Sequence, residues 1–197
     1  MIPKKDLKKI KNLKGKVRGV TFETDLKYVE TLEGKEERKK VACEISKQEP
    51  GFDPEKIKST EWYPLHWRLI SLLTIKNYFN WSRDDIFDMG HAAPSNSFVV
   101  KIILRYFVSF EKTCREAATY WGKHYSTGKF ETTEFKPKEK KVVYTLYNFQ
   151  AHPDLCTYLM GYFKAITELT NKSKKINIKE TQCMFKGDKY HRFEIHW

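Results

Sequence analysis

The sequence predicts an α+β fold, with an N-terminal helical part packed on a four-stranded antiparallel sheet, on three observations. Apolar residues recur at helical spacing through much of residues 15–130. Four strand-type segments flanked by polar turns follow, at 130–135, 142–149, 176–185 and 190–196. One further helical pattern, opened by His152-Pro153-Asp154, separates the second of these from the third. Helices followed by strand-strand-helix-strand-strand give this architecture. With 197 residues, 40% of them apolar and 29 aromatic, the chain has the material for a sizeable core and is not a disordered tail.

The first element is a basic arm. Seven lysines and one acid, Asp6, fall within residues 1–16, so half of the net charge of +12 lies there. Residues 1–14 are read as this arm, solvated and separate from one domain spanning 15–197, which divides into a mainly helical part (15–130) and a sheet and metal module (131–197). Pro50, Gly51 and Pro54 mark a loop. Leu65, Leu69, Leu72 and Leu73 form a buried helical stripe after Pro64, read as the first helical residue. Ser82 supplies an N-cap oxygen, with Asp84 and Asp85 in the first turn behind it. A long central helix is expected from about Ser97 to Trp121, because Phe98, Ile102, Ile103, Tyr106, Phe107 and Phe110 cover more than half its circumference.

Charge and cysteines narrow the class. The cations are 30 lysines and seven arginines, whereas base-edge reading and bidentate phosphate binding favour arginine. No basic recognition helix or zinc-finger spacing is present, so the excess reads as solvated surface, and nucleic-acid binding through the arm is the alternative function. Cys43, Cys114, Cys156 and Cys183 are too few and too scattered for a disulfide framework, which fits a reducing cytoplasm. No apolar stretch reaches membrane-spanning length, and the N-terminus lacks the apolar block of a secretory signal.

Chemistry concentrates at the C-terminus. Cys156, Glu180, Cys183 and His191 are all residue types that bind zinc, and Cys156 lies in the first turn of its helix, where the dipole favours thiolate. A three-residue Lys186-Gly187-Asp188 loop would place Cys183 opposite His191 on a hairpin. Glu180 and Cys183 are an odd number apart, so a bulge must lie between them for both to face one point. The bland alternative is two buried thiols, a surface glutamate and a hairpin histidine.

The segments His152-Pro153-Asp154-Leu155-Cys156, Gly161-Tyr162, Lys179-Glu180-Thr181-Gln182-Cys183 and Lys186-Gly187-Asp188-Lys189-Tyr190-His191-Arg192-Phe193 resemble the C-terminal half of 4-vinyl reductase domains. These share a superfamily with haem nitric-oxide-binding domains and subunits of the TRAPP transport complex. The resemblance is specific over residues 150–197 and vaguer over 15–130, where the run Asp85-Ile86-Phe87-Asp88-Met89-Gly90 carries it. In phenol-sensing regulators with such a domain the matching positions are Cys, Glu, Cys and Cys around a structural zinc. Here His191 takes the fourth place.

The resemblance implies a structural Zn2+ and a small apolar or aromatic molecule held between helices and sheet, with Phe107, Tyr144, Met160 and Phe163 as candidate lining. Haem is not expected, because Tyr125-Ser126-Thr127-Gly128-Lys129 lacks the Tyr-x-Ser-x-Arg pattern of the haem members. His66, His91, His124 and His152 read as solvated or capping residues. No nucleophile–base–acid set, phosphate loop or dinucleotide fingerprint is found, so catalysis has no support. The expected function is a ligand-binding sensor or adaptor acting as a dimer or through a protein partner. A second alternative is an auxiliary protein of tetrapyrrole metabolism.

Overall fold

Two β-hairpins joined through one helix form the sheet half of the computed structural model, which describes residues 2–97, 100, 109–171, 173 and 175–197. Strands β3 (Lys129–Lys136), β4 (Lys141–Tyr147), β5 (Asn177–Gln182) and β6 (Tyr190–His196) are antiparallel in the order β3-β4-β6-β5. The first turn closes through Pro137–Glu139, with Lys140 in the left-handed region at φ 53°. His191, Phe193 and Ile195 alternate in burial with Arg192 and Glu194, so one face of β6 meets the helices and the other carries charge. Register pairs Tyr144 with Phe193 and Leu146 with His191. The architecture predicted from the sequence is the one observed.

The helical half contains α1 (Lys4–Lys11), α2 (Val20–Glu33), α3 (Lys35–Gln48), α4 (Leu65–Tyr78), α5 (Arg83–Asn96), α6 (Phe110–Arg115) and α7 (Ala117–His124). A short ribbon of β1 (Lys16–Arg18) and β2 (Trp62–Pro64) ties the chain start to the head of α4. Pro64 caps α4 with extended backbone and is not its first helical residue. Ser82 does cap α5, as a full capping box with Asp85. No helix among the described residues is long and apolar enough to cross a membrane.

Two expectations are corrected. The single helix from Ser97 to Trp121 does not form. Residues 98–99 and 101–108 lie outside the described residues. Ser109 adopts extended backbone and caps α6, accepting from Lys112 N, and Glu116 leaves helical geometry at φ −96°, ψ 6°. Local capping by Ser109 wins over apolar periodicity. The basic arm is also not free in solvent. Ile2 and Ile10 are buried, Ile2 N–H donates to Gln48 Oε1 at 3.2 Å, and Lys11 pairs with Glu49 at 2.7 Å. Its apolar residues lie on one side, and burying that side docks α1 onto the body.

Helix α8 (Pro153–Thr170) connects the hairpins and crosses α5 closely. At Gly90 an added Cβ would lie 2.0 Å from Tyr158 O, and at Gly161 it would lie 2.0 Å from Phe87 O. Only glycine permits this approach, and it fixes α8 against α5. Beside the crossing, Arg68 and Asp25, both fully buried, form an ion pair, and Tyr158 Oη donates to Asp25 Oδ1 at 3.0 Å. Burial pushes the Asp25 carboxyl up, and the Arg68 guanidinium works against that shift.

Candidate metal centre and ligand cavity

The sheet and α8 bring the four C-terminal candidates together. His152 accepts from Asp154 N–H and Pro153 occupies the first turn, so α8 starts where Cys156 faces β6. The ladder shifts register between Glu180 and Gln182, which is the irregularity the odd spacing requires. The turn differs from the expected three-residue loop. A 3-10 turn at Met184–Lys186 and left-handed Gly187 close it, and Asp188 accepts from Cys183 N–H at 2.7 Å.

Ligand-type atoms of Cys156, Glu180, Cys183 and His191 lie within 4.8 Å of one another. His191 Nδ1 is 3.0 Å from Glu180 Oε1 and 3.6 Å from Cys156 Sγ. Bonds of about 2.0–2.3 Å in a tetrahedron place ligand atoms about 3.3–3.8 Å apart, so these edges come close to that geometry. On the far side of the ring, His191 Nε2–H donates to Phe149 O at 3.1 Å. That bond leaves the Nδ1 lone pair facing the cluster, as a ligating histidine requires. The site is closed: His191 is 0% exposed, Cys156 3% and Cys183 4%. Burial first, then the neighbouring Glu180 carboxylate, pushes the Cys156 thiol well up, and a cation would reverse that shift.

A cavity of about 120 Å³ lies between α2, α7, α8 and the sheet, walled by Trp121, His124, Tyr125, Phe130, Tyr158 and others. Of the four expected lining residues, Tyr144 and Phe163 line it, and Phe107 lies outside the described residues. Met160 is half-buried against the core instead, because Leu159, Tyr162, Phe163 and Ile166 hold the cavity face of α8. Sequence reading gave His124 only a solvated or capping role, and the structure places it on the cavity wall. It ends α7, Nδ1–H donates to Tyr120 O at 3.0 Å, and Nε2 has no hydrogen-bond partner among the described residues. Burial, with Arg18 and Lys123 nearby, lowers its pKa and keeps the ring neutral. Its position one turn after Tyr120, at the end of an aromatic helix face, is the signal that could have found it.

No family model matches this sequence, and no curated protein matches it. Solved structures do match in fold. An H-NOX protein from S. oneidensis in the Fe(II)NO ligation state superposes with a TM-score of 0.67 at 14% identity, over 91% of this chain and 98% of that one. An Fe(II) unliganded H-NOX mutant from K. algicida gives a TM-score of 0.63 at 15% identity, over 91% and 95% of the two chains. A structure reported for modulating haem redox potential through porphyrin distortion gives 0.62 at 11% identity, over 91% and 99%. At these identities the likeness establishes the fold alone.

The cofactor expectation, structural zinc with haem disfavoured, is overturned by these neighbours, for which haem and Fe(II) states are reported. The disfavouring of haem rested on one missing Tyr-x-Ser-x-Arg pattern, and the cavity does offer an imidazole by a different route. Neutral His124, with its Nε2 lone pair uncommitted and aromatic rings around it, fits the chemistry of an iron ligand. The space of about 120 Å³ suits a single-ring molecule, and a porphyrin needs the walls to move apart.

Proposed function

We propose that this chain is a small-molecule-binding sensor or adaptor domain related to 4-vinyl reductase domains, acting through self-association or a protein partner. The apolar cavity carries the reading. Protein cores are packed to near-crystalline density, so a space of this size, held beside a neutral imidazole whose Nε2 has no hydrogen-bond partner among the described residues, supports a ligand that fills it. Two ligand classes suit it. A small apolar or aromatic molecule takes the space as it stands. Haem would be held through His124 Nε2, with Trp121, Tyr125 and Phe163 excluding water, and when bound it would supply an iron centre for diatomic ligands.

We further propose Cys156, Glu180, Cys183 and His191 as protein ligands to one divalent metal ion. Such an ion would tie α8 to the β5–β6 hairpin. The experiment is a titration of purified protein with toluene and, separately, with haemin, read by melting temperature and by haem absorbance. Either probe should raise the melting temperature of the wild type and raise it less in Ala117→Leu, which fills part of the cavity. If neither probe shifts melting nor produces a bound-haem band, the ligand-binding reading is wrong.

A further inference from the structure

We propose that the exposed lysine ridge of α1 is a docking surface for the phosphate backbone of nucleic acid, separate from the cavity and the cysteine cluster. Two lysine-rich helices of this chain differ in how their charge is handled. On α3, Lys39, Lys40 and Lys47 pair with Glu36, Glu37 and Glu44 at 3.0, 2.7 and 2.6 Å. On α1, Lys4, Lys5, Lys8 and Lys9 are exposed and make no ion pair among the described residues, while Lys11 alone is paired, to Glu49. Three of the four lysines on α3 are paired within the helix, and Lys4, Lys5, Lys8 and Lys9 on α1 are left facing outward.

The ridge is held rigid. Buried Ile2 and Ile10 and half-buried Leu7 fix α1 to the body, so its ammonium groups sit on an ordered helix with i,i+4 neighbours about 6 Å apart along the axis. The following segment extends it. Lys14 and Lys16 are exposed, Lys16 N–H donates to Ser126 Oγ at 2.7 Å, and Arg18 Nε donates to Lys123 O at 3.1 Å. These bonds place the exposed Lys123 at the end of α7 next to Arg18.

The chemistry selects the partner. The apolar side of α1 is spent on the protein core, so the helix cannot lay that side into a bilayer. Between the lysines stand Asp6 and Leu7, and Leu7 is half-buried against the core, which leaves no fully exposed aromatic or aliphatic group to anchor an acidic protein segment. Affinity must therefore come from charge alone, and release of condensed counterions from a phosphate polyelectrolyte is the large source of that kind. Lysines in place of arginine forks make the contact independent of base sequence.

The test is fluorescence anisotropy of a labelled duplex oligonucleotide against salt, with the full chain and two variants of equal charge change. Lys4, Lys5, Lys8 and Lys9 become Gln in one, and Lys138, Lys175, Lys186 and Lys189 become Gln in the other. All eight side chains are exposed and make no ion pair among the described residues, so both variants should keep the wild-type melting temperature. The wild type should bind with a steep salt slope, the α1 variant should lose about one unit of slope per lysine removed, and the second variant should keep most of it. Absence of salt-dependent binding overturns the proposal, as does equal loss in both variants. Binding to phosphatidylserine vesicles without binding to the duplex overturns it in favour of a membrane surface.

Discussion

His191 Nδ1 faces Cys156 Sγ at 3.6 Å across the gap between β6 and the first turn of α8, although the two residues are 35 positions apart. Nothing apolar would place an imidazole and a thiol there with Glu180 alongside, and the Phe149 carbonyl fixes the tautomer that keeps Nδ1 free. Under the proposed metal reading, chelation should lower the melting temperature of the wild type and much less that of Cys183→Ala. Cys183→Ala should also cost more stability than Cys114→Ala, which removes a buried thiol bonded to Tyr144 Oη at 3.3 Å, because metal binding acts as folding energy. Equal melting temperatures with and without chelator would remove the metal from the account.

Deleting residues 1–14 should destabilise the domain. Burying a large aliphatic side chain contributes about 1.5–3 kcal/mol, and the deletion exposes the sites of Ile2 and Ile10 together. Urea unfolding of the truncated chain should show a loss of at least about 2 kcal/mol. A midpoint unchanged from the full chain would mean that α1 adds nothing to the folded body.

Gly90→Ala tests the crossing that sets α8. Its Cβ would fall 2.0 Å from the Tyr158 carbonyl oxygen, a backbone atom that cannot swing away. The expected cost is about 3 kcal/mol or more, beyond usual overpacking, with near-ultraviolet circular dichroism changed because Tyr158 and Trp121 share the cavity wall. Gly122→Ala, with open space around the position, serves as the mild comparison.

The fold was largely legible in the sequence and the cavity was not. Strand composition, turn residues and Pro153 locate all four sheet strands and α8, because these signals are local. The spacing of Cys156, Glu180, Cys183 and His191 also leads to a bulge that the ladder contains at Thr181. The helical half misled where a local hydrogen bond competes with periodicity, as at Ser109, and where an amphipathic segment looked merely basic, as in α1. His124 was read as solvated or capping because its role depends on tertiary placement. Only in the folded chain does His124 line a cavity shared with residues of α2 and α8.

Stability should rise with pH below about 6.5 in part through His124. Burial lowers its pKa, so in that window the unfolded chain binds more protons than the folded one, and raising pH favours folding until the unfolded histidine is neutral. His124→Gln should flatten the wild-type curve between its lowered pKa and about 6.5 and leave the region above unchanged. Parallel curves for the two proteins would show that the ring titrates alike in both states.

Native mass spectrometry of the purified chain tests the central claim most directly, because it reports cargo and metal in one spectrum. The account predicts a mass above that of the bare polypeptide by one metal ion and, after incubation with toluene or haemin, by one ligand molecule. Cys156→Ser should lose the metal increment and keep the ligand increment, and Ala117→Leu should weaken the ligand increment and keep the metal. A folded wild-type chain that flies at its bare mass and gains neither increment on incubation would contradict it.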